Sequence, residues 1–342
     1  MGCPICHNSK GMRFLYSLVL LFLFCCRNDS PTEIYLGSRN NFVDVHEKII
    51  EIPMDEVLIS GFSSACLLDN YLIVKDNRSP DKIIHLFDKN TFKHVQSSTR
   101  IGQGPKEIAS LLNIVPDEKN RRFFAIDAGK RKLLTYDLDS LLSDSNYVFN
   151  VKTNLQEDYA GTFIYMHDTL SIAQFLDLDP KTGNGTIYNG QWNMLNGNFK
   201  KGYANPLARV KRYAFGASEE LGLYVSCYSR YDLMTICNLD GSLKCNVYGP
   251  NWKDDITNMC HYNMEVCFVK DKIFAAYSGE DHRSREFHPT QIHIYNTDGE
   301  YIKTLKVGYH ITGYCYDEDN HRLILDLNDD IQFGYLNLEG II

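Results

Sequence analysis

The chain has 342 residues, with 35 Lys and Arg against 43 Asp and Glu, a net charge of −8. With 44% hydrophobic and 12% aromatic residues it can bury a core, which excludes a wholly disordered chain. The acidic balance argues against nucleic acid as a partner, because phosphate binding needs a surplus of Lys and Arg. The length allows one large all-β domain or two ordinary ones.

The first element in chain order is an address. Phe14 to Cys26 reads FLYSLVLLFLFCC, thirteen uncharged residues behind Arg13. This run is too short to span a bilayer comfortably, which takes about 20 residues, and it suits the apolar region of a secretory signal. Leu23-Phe24-Cys25-Cys26 resembles a bacterial lipobox, with Phe24 and Cys25 in the two positions that are mostly small. Cys26 is then the expected site of lipidation and the mature N-terminus. An ordinary cleaved signal or a buried apolar helix is the competing reading. Residues 1–26 are thus expected to be a lipoprotein signal peptide, 27–41 a polar tether and 42–342 the folded domain, with Met12 an alternative start. Cys3-Pro4-Ile5-Cys6-His7 matches the C-x-x-C-H haem-attachment pattern but precedes the signal, so processing removes it. Met1-Gly2 lacks the Ser or Thr that myristoylation needs, Cys6 standing there instead. Removing residues 1–25 leaves 33 bases against 43 acids, a net charge of −10. Such a domain is not drawn to anionic head groups, so a membrane partner is expected through the lipid alone.

An internal repeat organises the rest. An aromatic-Asx pair recurs as Phe87-Asp88, Tyr136-Asp137, Tyr188-Asn189 and Tyr295-Asn296, with weaker copies at Cys237-Asn238 and Leu336-Asn337. The steps between the Asx positions are 49, 52, 49, 58 and 41 residues, the size of a four-stranded propeller blade. Alternating runs flank tight turns: Ile292 to Tyr295 leads into Asn296-Thr297-Asp298-Gly299, and Thr235-Ile236-Cys237 into Asn238-Leu239-Asp240-Gly241. Asp-Gly between such runs signals a hairpin, because Gly accepts the positive φ of the turn. The Asx side chain is expected to bond the turn backbone and the aromatic to pack between sheets. Upstream hairpins are expected around Asp69-Asn70, Asp117 to Arg121, His167-Asp168, Lys270-Asp271 and Asp317 to His321. Six anchors predict an all-β fold, a six-bladed β-propeller of four-stranded antiparallel blades. The last anchor lies five residues from the C-terminus, so the sixth blade lacks an outer strand. The unassigned run Phe42 to Ile52 is expected to supply it and close the ring.

Two segments carry a family resemblance. Ala125-Ile126-Asp127-Ala128-Gly129-Lys130-Arg131 through Tyr136-Asp137 resembles the NHL-type blade. Ile101-Gly102-Gln103-Gly104-Pro105-Lys106-Glu107 resembles the G-x-G-P-G-E link of six-bladed, TolB-like propeller lipoproteins of Gram-negative envelopes, with Lys106 in place of the last Gly. The resemblance implies a periplasmic or outer-membrane lipoprotein, and most such proteins have no assigned activity. The Gly-Pro segment reads as a crossing from an outer strand to the next inner strand. An anion site on its backbone is the weaker reading, because no Walker pattern follows.

Arg78, Arg131, Arg230 and Arg283 fall in loops that a propeller gathers around its channel mouth. A ring of Arg suits a carboxylate or phosphate ligand, and solvated tips paired with neighbouring Asp are the alternative. Glu280 to His288 holds two His and three carboxylates without the rigid spacing of a metal site. Asp177 to Gly185 hints at a calcium loop but lacks the closing Glu. There is no G-x-S-x-G elbow. His261-Tyr262 and Tyr309-His310 are pairs that a propeller lyase could use. After Cys26 the chain keeps seven Cys, mostly in strand patterns, and a tight turn at Asp240-Gly241 would bring Cys237 and Cys245 close enough to bridge.

The function expected is a monomeric, lipid-anchored envelope propeller that binds a protein, peptide or glycan through its loop face, with no cofactor and no metal. The alternative is a lyase or hydrolase at the channel mouth.

Overall fold

In the computed structural model the structure describes Gly2 and residues 31–342, except 55, 156–160, 179–180, 182–184 and 285–286. The signal and Cys26 lie outside the described residues. Three short strands come first: β1 (Glu33–Tyr35), β2 (Phe42–Asp44) and β3 (Ile49–Glu51). Blade one follows as β4 (Ser63–Leu68), β5 (Tyr71–Asp76), β6 (Ile84–Asp88) and β7 (His94–Ser98). Blade two is β8 (Leu111–Asp117), β9 (Arg122–Asp127), β10 (Lys132–Asp137) and β11 (Asn150–Asn154), with a short helix α1 (Leu138–Ser143) after β10. Blade three is β12 (Thr162–His167), β13 (Leu170–Leu178), β14 (Gly185–Trp192) and β15 (Phe199–Lys201). Blade four is β16 (Tyr213–Ser218), β17 (Leu223–Tyr228), β18 (Leu233–Asn238) and β19 (Leu243–Tyr248). Blade five is β20 (Met259–Val269), β21 (Lys272–Asp281), β22 (Gln291–Asn296) and β23 (Tyr301–Lys306). Blade six is β24 (Ile311–Asp317), β25 (Arg322–Leu327) and β26 (Phe333–Asn337), completed by β3. The all-β, six-bladed propeller read from the repeat is therefore the fold.

The N-terminal segment does more than the sequence suggested. Ile49–Glu51 pairs antiparallel with β26 and closes the ring, but Phe42–Asp44 pairs in parallel with β23 and widens blade five. Part of the expected tether is also folded. Glu33–Tyr35 adds a parallel fifth strand to blade four along β19, and Arg39 is buried. Alternation in so short a strand carries no partner information, so the sequence placed Phe42–Asp44 on the sixth blade with the rest of its run and left Glu33–Tyr35 in the tether.

Five anchor pairs end the third strand of a blade as expected. Asp88 accepts hydrogen bonds from the backbone N–H groups of Asn90 and Thr91 at 3.0 and 2.7 Å. Asp137 caps α1 through Ser140 N–H at 2.8 Å, and Asn296 and Asn337 accept turn N–H groups likewise. Blade three is the exception. Its third strand runs on to Trp192, and Asn193 accepts the Leu195 N–H at 3.0 Å. The structural copy is Trp192-Asn193, while Asn189 lies in mid-strand and donates to Ser226 Oγ at 2.8 Å.

Each anchor side chain wedges against the preceding blade. Phe87 packs with Ile324 and Phe333, Tyr136 with Ile73 and Leu86, and Trp192 with Phe124 and Leu133. Cys237 packs with Met166 and Ile172, Tyr295 with Ile236 and Val247, and Leu336 with Phe274 and Ile294. The core is thus six apolar seams between sheets, each a face-to-face packing of alternate residues.

The suggested Cys237–Cys245 bridge is absent, both thiols being free. A bulge after Ile236 shifts the register, so that Ile236 faces Cys245 and Cys237 faces Leu243. The two thiols consequently enter different seams, Cys237 beside Tyr224 and Cys245 beside Val247.

Truncating Trp192 to Ala removes a wedge and should cost about 3–5 kcal/mol in urea unfolding. Tyr188→Ala, at the repeat-matched but partly exposed position, should cost clearly less.

Candidate functional site

Strands alternate in direction, so the loops between second and third strands and the loops between blades leave from one end of the ring. Around this loop face stand Leu58, Phe62, Ile101, Leu207 and Ile256, each between 47% and 81% exposed. All five belong to inter-blade connections. Beneath the mouth, the six inner strands enclose a cavity of about 860 Å³.

The lining, polar and apolar in about equal share, comes mainly from β4, β8, β12, β16, β20 and β24 and includes Cys66, Cys267 and Cys315. Burial pushes the Cys66 thiol up to about 12, so it stays protonated and unreactive at neutral pH. Five charged residues are also in the lining: Lys75, Glu118, Glu265, Glu318 and Asp326. Lys75 and Asp326 come from second strands rather than inner ones, and Glu265 comes from β20. Asp326 reaches the cavity beside Gly313 of β24, where an added Cβ would sit 2.9 Å from its carboxylate. Its Oδ2 accepts the Ala65 N–H at 2.8 Å. Glu265 is turned by an irregular stretch of β20, where the register slips between Tyr262 and Val266 and Met264 adopts φ +70°. Burial raises the Glu265 carboxyl to about 8 and that of Asp326 to about 7. Lys75 donates to the Leu112 carbonyl at 2.8 Å, and burial lowers its ammonium pKa.

The four Arg named from sequence sit on the loop face, and none lines the cavity. Arg78 lies over the Phe62 ring, 3.3 Å from its centroid. Arg230 donates to the Thr257 carbonyl at 2.5 Å. Arg283 pairs with Asp281 at 3.1 Å, and Arg131 sits at the turn before β10 with φ +51°. Arg78, Arg230 and Arg283 are thus engaged by their own or a neighbouring loop.

The other expectations divide similarly. His282 and Arg283 turn to Asp281 and Asn258, and residues 285–286 of that loop lie outside the described set. Among the described residues no three His, Cys, Asp or Glu converge as metal ligands. The calcium-like loop is described only in part, with Asp177 paired to Lys201 at 2.5 Å. Gly104 N–H, which an anion would need, is taken by the Glu107 carboxylate at 2.8 Å, and Lys130 ties the same loop through the Gly104 and Glu107 carbonyls. His261 and Tyr262 are 2% and 1% exposed, so this pair cannot meet a substrate at the mouth. Tyr309 stacks on His46 at 4.4 Å, and His310 N–H donates to Asp329 at 2.5 Å.

Tyr262 instead belongs to a latch that sequence reading missed. Arg39 forms a bidentate pair with Asp232 at 2.7 and 3.0 Å and donates to Tyr262 Oη at 2.9 Å. Tyr262 Oη contacts Tyr295 Oη at 2.8 Å. Asp232 also accepts the Asn251 N–H at 3.0 Å, so the buried charges are held by hydrogen bonds from several elements. The partners are 193 positions apart, and no local signal links them.

A family model described as a 6-bladed beta-propeller, DUF5128, matches residues 37–231. No curated protein matches the chain. Among solved structures, a candidate exported protein of Bacteroides fragilis superposes with a TM-score of 0.56 at 11% identity, covering 89% of this chain and 98% of its own. A member of the DUF4221 family from Bacteroides vulgatus superposes with a TM-score of 0.58 at 12% identity, covering 85% and 96%. A luciferin-regenerating enzyme gives 0.52 at 11% identity, covering 84% and 94%. At these identities the likeness is one of fold.

Arg39→Ala strands a buried carboxylate and should cost about 3–5 kcal/mol in chemical unfolding. Arg283→Ala, in an exposed and solvent-screened pair, should leave the unfolding midpoint close to wild type. The channel carboxyls have ordinary values of 4.5 and 3.8 and are raised on folding, so their protonated forms favour the native state. That contribution is complete below pH 4 and is lost as pH rises through about 7 to 8. The urea midpoint should fall from pH 5 to pH 8.5, and the fall should be shallower in Glu265→Gln and in Asp326→Asn.

Proposed function

Because the chain belongs to the DUF5128 family of 6-bladed β-propellers, we propose that it is a lipid-anchored protein of the cell envelope that acts as a binding or scaffold module through its loop face. The observation that carries this reading is the set of exposed apolar tips on the inter-blade loops, with Leu58 81% and Phe62 56% exposed. Large side chains held in water around one mouth are the chemistry of an interaction surface. Their apolar character suits a protein or peptide with apolar anchors better than a glycan, and the arginines between them suit acidic groups at the rim of such a partner. Export rests on the apolar run after Arg13, with support from the fold-level likeness to the candidate exported protein of Bacteroides fragilis. Lipidation at Cys26 rests on the lipobox pattern.

Two measurements test the proposal. Wild-type chain should incorporate a fatty-acid label and fractionate with membranes, and Cys26→Ala should do neither; continued labelling of that variant overturns the anchor. Photo-crosslinking residues placed at Leu58 and Leu207 should give discrete adducts in cells. The same probe at Leu195, in the turn after β14 on the opposite end of the ring, should give none. Equal adducts from both ends, or none from the loop face, overturn the loop-face reading.

A further inference from the structure

Between blades three and four the loop face carries a run of cations. Residues 209–212 read Arg-Val-Lys-Arg, in a chain of net charge −8. Arg39, Arg100, Arg122 and Arg322 each take an Asp from the surplus of acids. Arg209 and Arg212 do not: both are exposed, and among the described residues neither side chain has an ion pair or a hydrogen bond. Lys211 meets the Tyr188 ring, its ammonium 5.9 Å from the centroid. The turn between β17 and β18 brings Arg230 alongside, because the Ser229 N–H donates to the Arg212 carbonyl at 2.9 Å. Leu207 on the same connection and Ile256 on the next stand about half exposed beside these cations.

The backbone under this patch is fixed. Asn205 N–H donates to Tyr228 Oη at 2.9 Å, and Asn205 Nδ2 donates to Tyr248 Oη at 2.8 Å. Arg209 N–H donates to Tyr231 Oη at 3.0 Å. All three tyrosines are buried. A loop tied down by buried hydroxyls presents its side chains at little further cost in backbone entropy on binding.

We propose that this sector of the loop face docks an acidic segment of a protein partner, whose carboxylates pair with Arg209 and Arg212 and whose apolar side chains rest on Leu207 and Ile256. The inference rests on the loop-face reading and names the chemistry of its partner. Guanidinium forks left without a carboxylate in an acid-rich chain are the complement of carboxylates brought from outside. The flanking Leu and Ile favour a peptide over a phosphate or an acidic glycan, which has no apolar side chain to lay on them. A bilayer fits less well. It would meet the whole face at once, including the exposed Asp254 and Asp255, and the net charge of the chain opposes an anionic surface.

The test is fluorescence anisotropy of the full chain, purified in detergent, with a labelled peptide of sequence Glu-Glu-Leu-Glu-Glu-Phe-Glu-Glu. The same peptide with Lys for every Glu, the same with Ser for Leu and Phe, and phosphatidylglycerol vesicles are the comparison probes. The acidic peptide should bind, more weakly as salt rises, and the Ser peptide should bind less tightly and the Lys peptide not at all. Arg209→Glu combined with Arg212→Glu should weaken the acidic peptide at least tenfold. Lys119→Glu, at the opposite end of the ring, should leave its binding unchanged. Unchanged urea midpoints would establish that the variants fold. Absence of acidic-peptide binding overturns the proposal. So does equal binding of the Lys or Ser peptide, binding of the vesicles in place of the peptide, or undiminished binding to the double variant. In cells, adducts from Leu58 and Leu207 that persist in the double variant would leave the loop-face reading standing and overturn this one, whereas absence of adducts in the wild type overturns both.

Discussion

The molecule depends on ring closure. Six twisted sheets arranged around an axis leave two exposed edges unless the last blade pairs with the beginning of the chain. Here the sixth blade has three strands of its own, and Ile49–Glu51 supplies the fourth along β26. The hydrogen bond from Ile52 N–H to the Phe333 carbonyl at 2.9 Å continues that pairing. Closing a loop of this length costs chain entropy before any contact rewards it, so the closing segment needs more than three strand residues to hold it.

The additional hold comes from residues upstream. The segment from Glu33 to Ile52 touches three blades in turn: β1 on blade four, Arg39 into the seam of blades four and five, β2 on blade five and β3 on blade six. Among these ties Arg39 is the charged one, its buried guanidinium paired with Asp232, bonded to Tyr262 Oη and set against the Tyr277 ring. A buried pair with this many hydrogen bonds adds little over an apolar replacement but is expensive to break, so it fixes the path of the strap. The apolar seams contribute most of the stabilisation, and the latch decides where the N-terminal chain lies.

The same architecture separates two kinds of surface. Side chains between blades are closely packed and apolar, whereas the six inner strands leave a cavity along the axis. Channel chemistry therefore comes from residues that depart from regular strand geometry. Asp326 looks past a glycine, Glu265 follows a backbone irregularity, and Lys75 extends from a second strand. At the loop face the reverse holds: apolar side chains stand in water, and Arg78 and Arg283 turn to local partners.

The blade count was legible in the sequence because each blade ends its third strand with the same physical device, a wedge followed by a turn-bonding Asx. Hairpins such as Asp298-Gly299 were legible because positive φ demands particular residues, and Gly299 indeed has φ +84°. The match failed at Tyr188-Asn189, where a longer strand moved the device to Trp192-Asn193 without changing local composition. Most of the candidate site was not legible. The four arginines could be placed on a face from loop order alone, but their partners could not, and neither the Arg39–Asp232 latch nor the Asp326–Glu265 cavity leaves a local trace. A sequence records spacing along the chain, and so it determined the repeat, the turns and the all-β ring. Which side chains meet across 193 positions, and which acids line the channel, follow from how the closed ring brings strands together, and only the tertiary structure decided them.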